Sequence, residues 1–236
     1  MPRPDGLVLE ELMMQKTKSQ ITSYPLCERL PAFLALTLAG GICGCYGVVA
    51  FGTFACGETG NLLHLWNSVA SGNIVDMLLR GVTLVMFVLG IVLAAIMPDK
   101  LGKKRWQTVC LAVEMLLTLI VISLPDIHFL LHLAPLFLLA ALQYHTFNHC
   151  EGLAVATVFC SNNIRQSTLG MVEWIRTKDK AALHRFKVFG LAVLAYSIGA
   201  VVCAAFFPLI GKLVLLPALF IYLIICPIIG LEKSQA

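Results

Sequence analysis

Phe87-Val88-Leu89-Gly90-Ile91-Val92-Leu93-Ala94-Ala95 carries no charge, and it lies within an apolar segment at 78–97. About 20 such residues in a helix rise about 30 Å, the thickness of the hydrocarbon core of a bilayer, so this segment is expected to cross a membrane. Five more apolar segments flank it, at 32–56, 107–124, 129–160, 187–207 and 213–230. The composition agrees, because 59% of the 236 residues are hydrophobic and 13% are charged, whereas soluble chains carry about 25% charged residues. Mean hydropathy is +0.88. A water-soluble globule is thereby excluded. The expected fold is all-α and polytopic, with six transmembrane helices in one membrane domain at 32–230. A cytoplasmic segment at 1–31 is expected before it and a short cytoplasmic tail at 231–236 after it. The apolar run after residue 31 is too long for the core of a signal peptide, so the first span is expected to stay in the mature protein.

The basic residues set the orientation. Of the 17 Lys and Arg, 15 fall before span one, between spans two and three, between four and five, or after six; Arg80 and Lys212 are the exceptions. Under the positive-inside bias that side is cytoplasmic, and both termini lie there. Topology accounts for the basic runs, and no nucleic-acid partner is expected. The nine cysteines contain no CxxC pair and sit mostly in apolar runs, as small buried residues do.

A weak internal repeat comes next. Thr59-Gly60-Asn61, after span one, lies over Ser161-Asn162-Asn163, after span four, and residues 87–95 lie over Tyr196-Ser197-Ile198-Gly199-Ala200-Val201-Val202-Cys203-Ala204. The unit is three spans used twice, at 32–124 and 129–230. Because three is odd, the two units lie upside down relative to each other, as in many secondary transporters, whose sites lie where the repeats meet beside broken helices. Thr59 and Ser161 fit as N-caps for helices over 62–70 and 164–176. Those helix starts would offer free N–H groups and a positive dipole end to an anion or a polar solute. The alternative is a pair of ordinary interfacial turns.

With Gly40-Gly41-Ile42-Cys43-Gly44-Cys45-Tyr46-Gly47, Glu58-Thr59-Gly60-Asn61, Phe87-Val88-Leu89-Gly90 and Cys160-Ser161-Asn162-Asn163-Ile164-Arg165, the chain resembles the YoaK-like family of bacterial membrane proteins of unknown function from about residue 30 onward. The resemblance implies a bacterial inner-membrane protein and no established substrate. In that family the second motif usually has Gly where this chain has Asn162, which argues against two fully symmetric sites.

Other side chains bear chemistry. His145 and His149 are four apart and would share a helical face, a candidate metal pair, with Asn148, Cys150 and Glu151 nearby; His128 and His132 repeat the spacing. A polar stripe that bonds across helices and a stripe in contact with solute or protons remain open beside the metal reading. Glu114 and Glu151 are carboxylates expected at membrane depth, where an ionised group is usually partnered or functional, with span ends in the headgroup layer as the alternative; Glu58 is open in the same way. Gly40, Gly44 and Gly47 allow close helix approach. No HExxH, G-x-S-x-G, P-loop or Rossmann glycine pattern is present, so neither catalysis nor a cofactor is expected.

The expected function is passage of a small polar or anionic solute, as a transporter or channel. Its expected contacts are Glu58, Thr59, Gly60, Asn61, Glu114, His145, Glu151, Ser161, Asn162 and Asn163. A membrane scaffold or assembly partner without transport is the alternative. Besides the lipid bilayer and the solute, a homodimer is compatible with the span count, though no stretch of sequence marks a dimer face.

Overall fold

The computed structural model describes residues 24–54, 57–125 and 127–232. The expectations for residues 1–23, and for 233–236 of the tail, lie outside them. A 3-10 turn at Leu26–Glu28 precedes helix α1, Leu30–Phe51. The chain continues through α2, Glu58–Ala70, α3, Ile74–Leu101, α4, Lys103–Ser123, and α5, Phe129–Thr146. A two-stranded hairpin follows, with β1 at His149–Cys150 and β2 at Leu153–Ala154. Then come α6, Ser161–Thr177, α7, Lys180–Ile210, a 3-10 turn at Gly211–Leu215, and α8, Leu216–Leu231.

Among the described residues, five helical stretches are long and apolar enough to cross a membrane: α1, α3, α4, α5 and the continuous run Lys180–Leu231. That last run has 52 residues, which as one straight helix would measure about 78 Å, more than twice the hydrocarbon core. It is bent back on itself instead. Gly199 of α7 meets Leu38 and Ile42, and Phe207 meets Tyr46, so α7 runs with α1. Tyr222 of α8 meets Cys43, while Glu232 accepts from the Leu26 N–H at 3.0 Å, so α8 runs against it. Gly211, at φ 56°, sits at the bend, in a backbone region that favours glycine.

The same tracing orders the remaining helices. Lys103, at the start of α4, pairs with Glu28 at 2.7 Å, and Trp106 donates to Thr146, at the end of α5, at 3.0 Å. At the opposite end, Lys212 donates to the Leu124 carbonyl at 2.6 Å, and Phe51 meets Phe129. The starts of α1, α4 and α7 therefore share one face with the ends of α3, α5 and α8. Ion pairs Arg29–Glu232, His184–Glu151 and Lys103–Glu28 concentrate there.

Hydrophobicity is turned outward. α3 exposes Val85, Val88, Leu89, Val92 and Ile96, yet it buries Thr83, Phe87, Gly90 and Ala94. Glu114, Gln143, Thr118 and Thr157 are fully buried inside. Two glycine contacts bring helices to backbone distance. A Cβ at Gly199 would collide with the Leu38 carbonyl, and one at Gly90 would lie 2.6 Å from the Ala141 Cβ. Of the expected glycine face, Gly40 meets the Thr157 carbonyl, while its neighbour Gly41 makes the closer approach, to the Tyr196 carbonyl.

Gly199→Val is expected to lower the thermal midpoint of the purified protein sharply, by on the order of 3 kcal/mol of overpacking. Gly81, with open space around its would-be Cβ, is the control: Gly81→Ala is expected to leave the midpoint unchanged or raise it, by up to ~1 kcal/mol.

Candidate functional site

The two short helices carry the site. α2 packs antiparallel on α3, and Asn61 in its first turn donates to Thr83 Oγ1 at 3.0 Å. Since α3 begins at Ile74, Thr83 is about 14 Å along its axis, and α2 starts at that depth. α6 packs in the same way on α7, where Ser167 donates to the Phe186 carbonyl at 3.2 Å and lies beside Gly190. α7 begins at Lys180, so the start of α6 is more than about 15 Å in from the opposite face. The segment leading to it is buried and bends at Thr157 and Val158, with Val155 at 1%, Thr157 at 0% and Val158 at 2% exposure. Phe159 then meets Phe87 at 6.4 Å between ring centroids, one helical turn from Thr83. The first turn of α2 and the residue two before α6 thus reach adjacent turns of α3.

The expected N-caps are corrected. α2 begins at Glu58 after Gly57 and α6 at Ser161 after Cys160, and neither start has a side-chain cap. Thr59, Ser161 and Asn162 are exposed; the buried polar side chains are Asn61, at 3%, and Asn163, at 1%. Both helices start before the hydroxyl could occupy the cap, so the amide side chains take the inward position.

The two asparagines are used differently. Asn163 is closed on its own chain, accepting from the Ala156 N–H at 3.2 Å and donating to the Ala156 carbonyl at 2.7 Å. Asn61 Nδ2 is directed at Glu58 Oε2 (3.2 Å), the Arg80 carbonyl (3.4 Å) and Thr83 Oγ1. Asn61 Oδ1 and Glu58 Oε1 are buried without a partner. Burial pushes the Glu58 carboxyl above its usual range, with the Asn61 amide pulling the other way. Gly60 lies under the Phe54 ring, 3.2 Å from its would-be Cβ. Arg80, buried to 6%, donates from Nε to Asp76 Oδ2 at 2.8 Å, and Ser68 also donates to that oxygen. The sequence had marked Arg80 only as an exception to the charge bias; its spacing from Asp76, one turn apart, was the available signal.

Glu114 is fully buried on α4, with Oε1 at 3.4 Å from Cys110 Sγ and Oε2 unpartnered. Near it in depth runs a polar line that no linear spacing could reveal. Tyr222 donates to Gln143 Oε1 at 3.0 Å, and Gln143 donates to the Leu36 carbonyl at 2.7 Å. Tyr46 and His132 bond at 3.0 Å beside a cavity of about 470 Å³, which Phe51, Phe207 and Lys212 also line.

The histidine and Glu151 expectations are also corrected. α5 ends at Thr146, so His145 and His149 share no helical face. His149 is exposed and bonds Asn148 at 2.6 Å. Among the described residues no group of three or more His, Cys, Asp or Glu is arranged to hold a metal. His128 caps the opposite end of α5, accepting from the Leu130 N–H. The four histidines therefore do not line one channel. Glu151 occupies the hairpin turn, at φ 48°, where its N–H donates to the Glu28 carbonyl at 2.8 Å and its carboxylate faces His184 at 3.7 Å. It belongs to the charged face and not to the interior. There burial, aided by Glu151 and Glu28, pushes the Cys150 thiol up to about 12.

The fold and its interior polar groups define a polytopic helical protein with apolar, membrane-compatible helices. Residues 32–228 match the family model for proteins of unknown function designated DUF1275, and the chain belongs to that family. This bears out the resemblance drawn from the glycine-rich first span and the Thr-Gly-Asn motif. No curated protein and no solved structure matches the chain.

Asn163→Ala is expected to lower the unfolding midpoint by about 2–4 kcal/mol, because it strands both polar groups of buried Ala156. Thr59→Ala and Ser161→Ala, at exposed positions, are expected to change stability by less than about 0.5 kcal/mol. Thermal unfolding in detergent compares the three.

Proposed function

We propose that the protein passes a small polar or anionic solute across a bacterial inner membrane, as a transporter or channel. In this reading it spans the bilayer six times as two inverted units, 32–124 and 129–230, with both termini cytoplasmic. The observation that carries it is that α2 and α6 enter from opposite faces, and that Asn61, in the first turn of α2, and Phe159, two residues before α6, reach adjacent turns of α3. A lipid-filled or dry interior disfavours unpaired backbone N–H groups, so helix starts at that depth belong where protein or a water-lined path can satisfy them.

Other features support the inverted arrangement. α1 and α5, α3 and α7, and α4 and α8 run in opposite directions. The pairing of α7 with α1 through Gly199 and Leu38 has its counterpart in that of α3 with α5 through Gly90 and Leu138. Those are the glycines that the sequence repeat superposes. Catalysis has no part in this proposal. Thr59, Gly60 and Asn61 hold the first helix start and Ser161, Asn162 and Asn163 the second, with Glu114 in the buried polar interior between the spans.

Proteoliposome swelling with glycerol, urea, glycine and sodium formate tests the reading. At least one of these solutes is expected to enter faster than into protein-free vesicles, and Asn61→Ala is expected to slow it by roughly tenfold, the equivalent of ~1.4 kcal/mol. Rates equal to those of empty vesicles for all four would reject it.

A further inference from the structure

The two helix starts are unequal, and the inequality is chemical. At the second, Asn163 spends both its oxygen and its nitrogen on Ala156. At the first, Asn61 turns its amide nitrogen to three acceptors, a choice that fixes its orientation because the Glu58 carboxylate and the Arg80 carbonyl can only accept. Its Oδ1 is left unpartnered in a side chain that is 3% exposed, and Glu58 Oε1 beside it is unpartnered too. Both free side-chain atoms on α2 at this start are therefore acceptors, while on the facing helix the buried Arg80 Nη1 is a donor without a partner.

The charge is unbalanced in the same sense. α2 packs on α3, and the charged or titratable groups on the facing stretches are Glu58 and His64 on α2 and Asp76 and Arg80 on α3. Arg80 is ion-paired with Asp76 at 2.8 Å. Glu58 has no ion pair among the described residues. The positive end of the α2 dipole eases the ionised carboxylate, but a half-buried carboxylate beside an orphaned carbonyl oxygen still calls for a positive charge or a proton.

We propose that Glu58 and Asn61 form a binding site for a small monovalent cation, which contacts Glu58 Oε1 and Asn61 Oδ1. A proton, an ammonium ion and an alkali ion share this chemistry. The role of the site rests on the solute-passage reading, but its geometry does not. Within that reading the cation couples to the solute: bare Glu58 repels an acceptor or anion approaching the free N–H groups of α2, and a neutralised Glu58 admits it. The second start, closed on Ala156, holds its segment in place and binds nothing.

Full-length protein in detergent is compared in sodium chloride, ammonium chloride and choline chloride at equal ionic strength, with thermal unfolding as readout. If the occupant is an ion, sodium or ammonium raises the wild-type midpoint by about 3–6 °C at ten times its dissociation constant, and Glu58→Gln abolishes the rise. If it is a proton, the salts act alike. The wild type then gains stability relative to Glu58→Gln as pH falls through the raised Glu58 titration, the neutral carboxyl being the form the folded site favours. Should Glu58→Gln fail to fold, Glu58→Asp serves in its place and is expected to give at most half the wild-type response. Equal responses of wild type and folded variant to every salt and to pH overturn the site. Because no solute enters this assay, a negative flux result leaves the site standing, and a negative binding result leaves flux to be judged separately.

Discussion

A helix that begins inside an apolar bundle leaves its first N–H groups where no bulk water can reach them, and this constraint organises the molecule. α2 and α6 each start partway along a long helix, α3 or α7, with the asparagine side of the first turn buried and the other side exposed. Each start holds a buried asparagine; Asn61 reaches Thr83 of α3, and Phe159, two residues before α6, meets Phe87 of the same helix. Around them the long helices can be apolar outside and polar inside, because lipid-facing positions need only hydrophobic side chains. Glycine at Gly90, Gly41 and Gly199 lets backbones approach closely enough to close the bundle around the short helices.

The two halves are alike in backbone course and unlike in chemistry. Glu58 has no carboxylate counterpart, since Cys160 precedes Ser161 where Glu58 precedes Thr59. The second half spends its asparagine on fixing the bent, non-helical stretch at 155–158, which lies buried against Gly40 and Gln143. One start is thus locked on its own backbone and the other is left with free oxygens. The charged face is held by pairs that join the turn at Leu26–Glu28 to α4 and Arg29, just before α1, to Glu232, just after α8. The opposite face has the cavity beside Tyr46 and His132.

Much of the fold was legible because length and hydropathy are local properties. The segments at 78–97 and 107–124 fall within or close to α3 and α4. The segment at 187–207 underestimates α7, which starts at Lys180 because Asp179 caps it, accepting from the Ala182 N–H at 3.0 Å. The run at 129–160 misled most. Its apolar residues continue past Thr146, yet the chain turns at Glu151 and Gly152, both at positive φ, and runs on through a short strand and a bend without helix until Ser161. Hydropathy cannot separate a buried strand-like stretch from a buried helix. At the site, the paired motifs pointed to Asn61 and Asn163, since short polar residues favour helix ends. Thr83, Tyr46 and Tyr222 were invisible, because their partners come from other helices. Asp76 and Arg80 were hidden by the segment boundary, which placed one outside the span and the other inside it.

The antiparallel crossing of the two halves is the claim on which the rest depends. In a background with the native cysteines replaced, a single cysteine at Ser71, in the α2–α3 turn, and one at Lys178, in the α6–α7 turn, can each be labelled with a membrane-impermeant maleimide in oriented vesicles. The account predicts that the two positions are labelled from opposite sides. Labelling of both from the same side would contradict it.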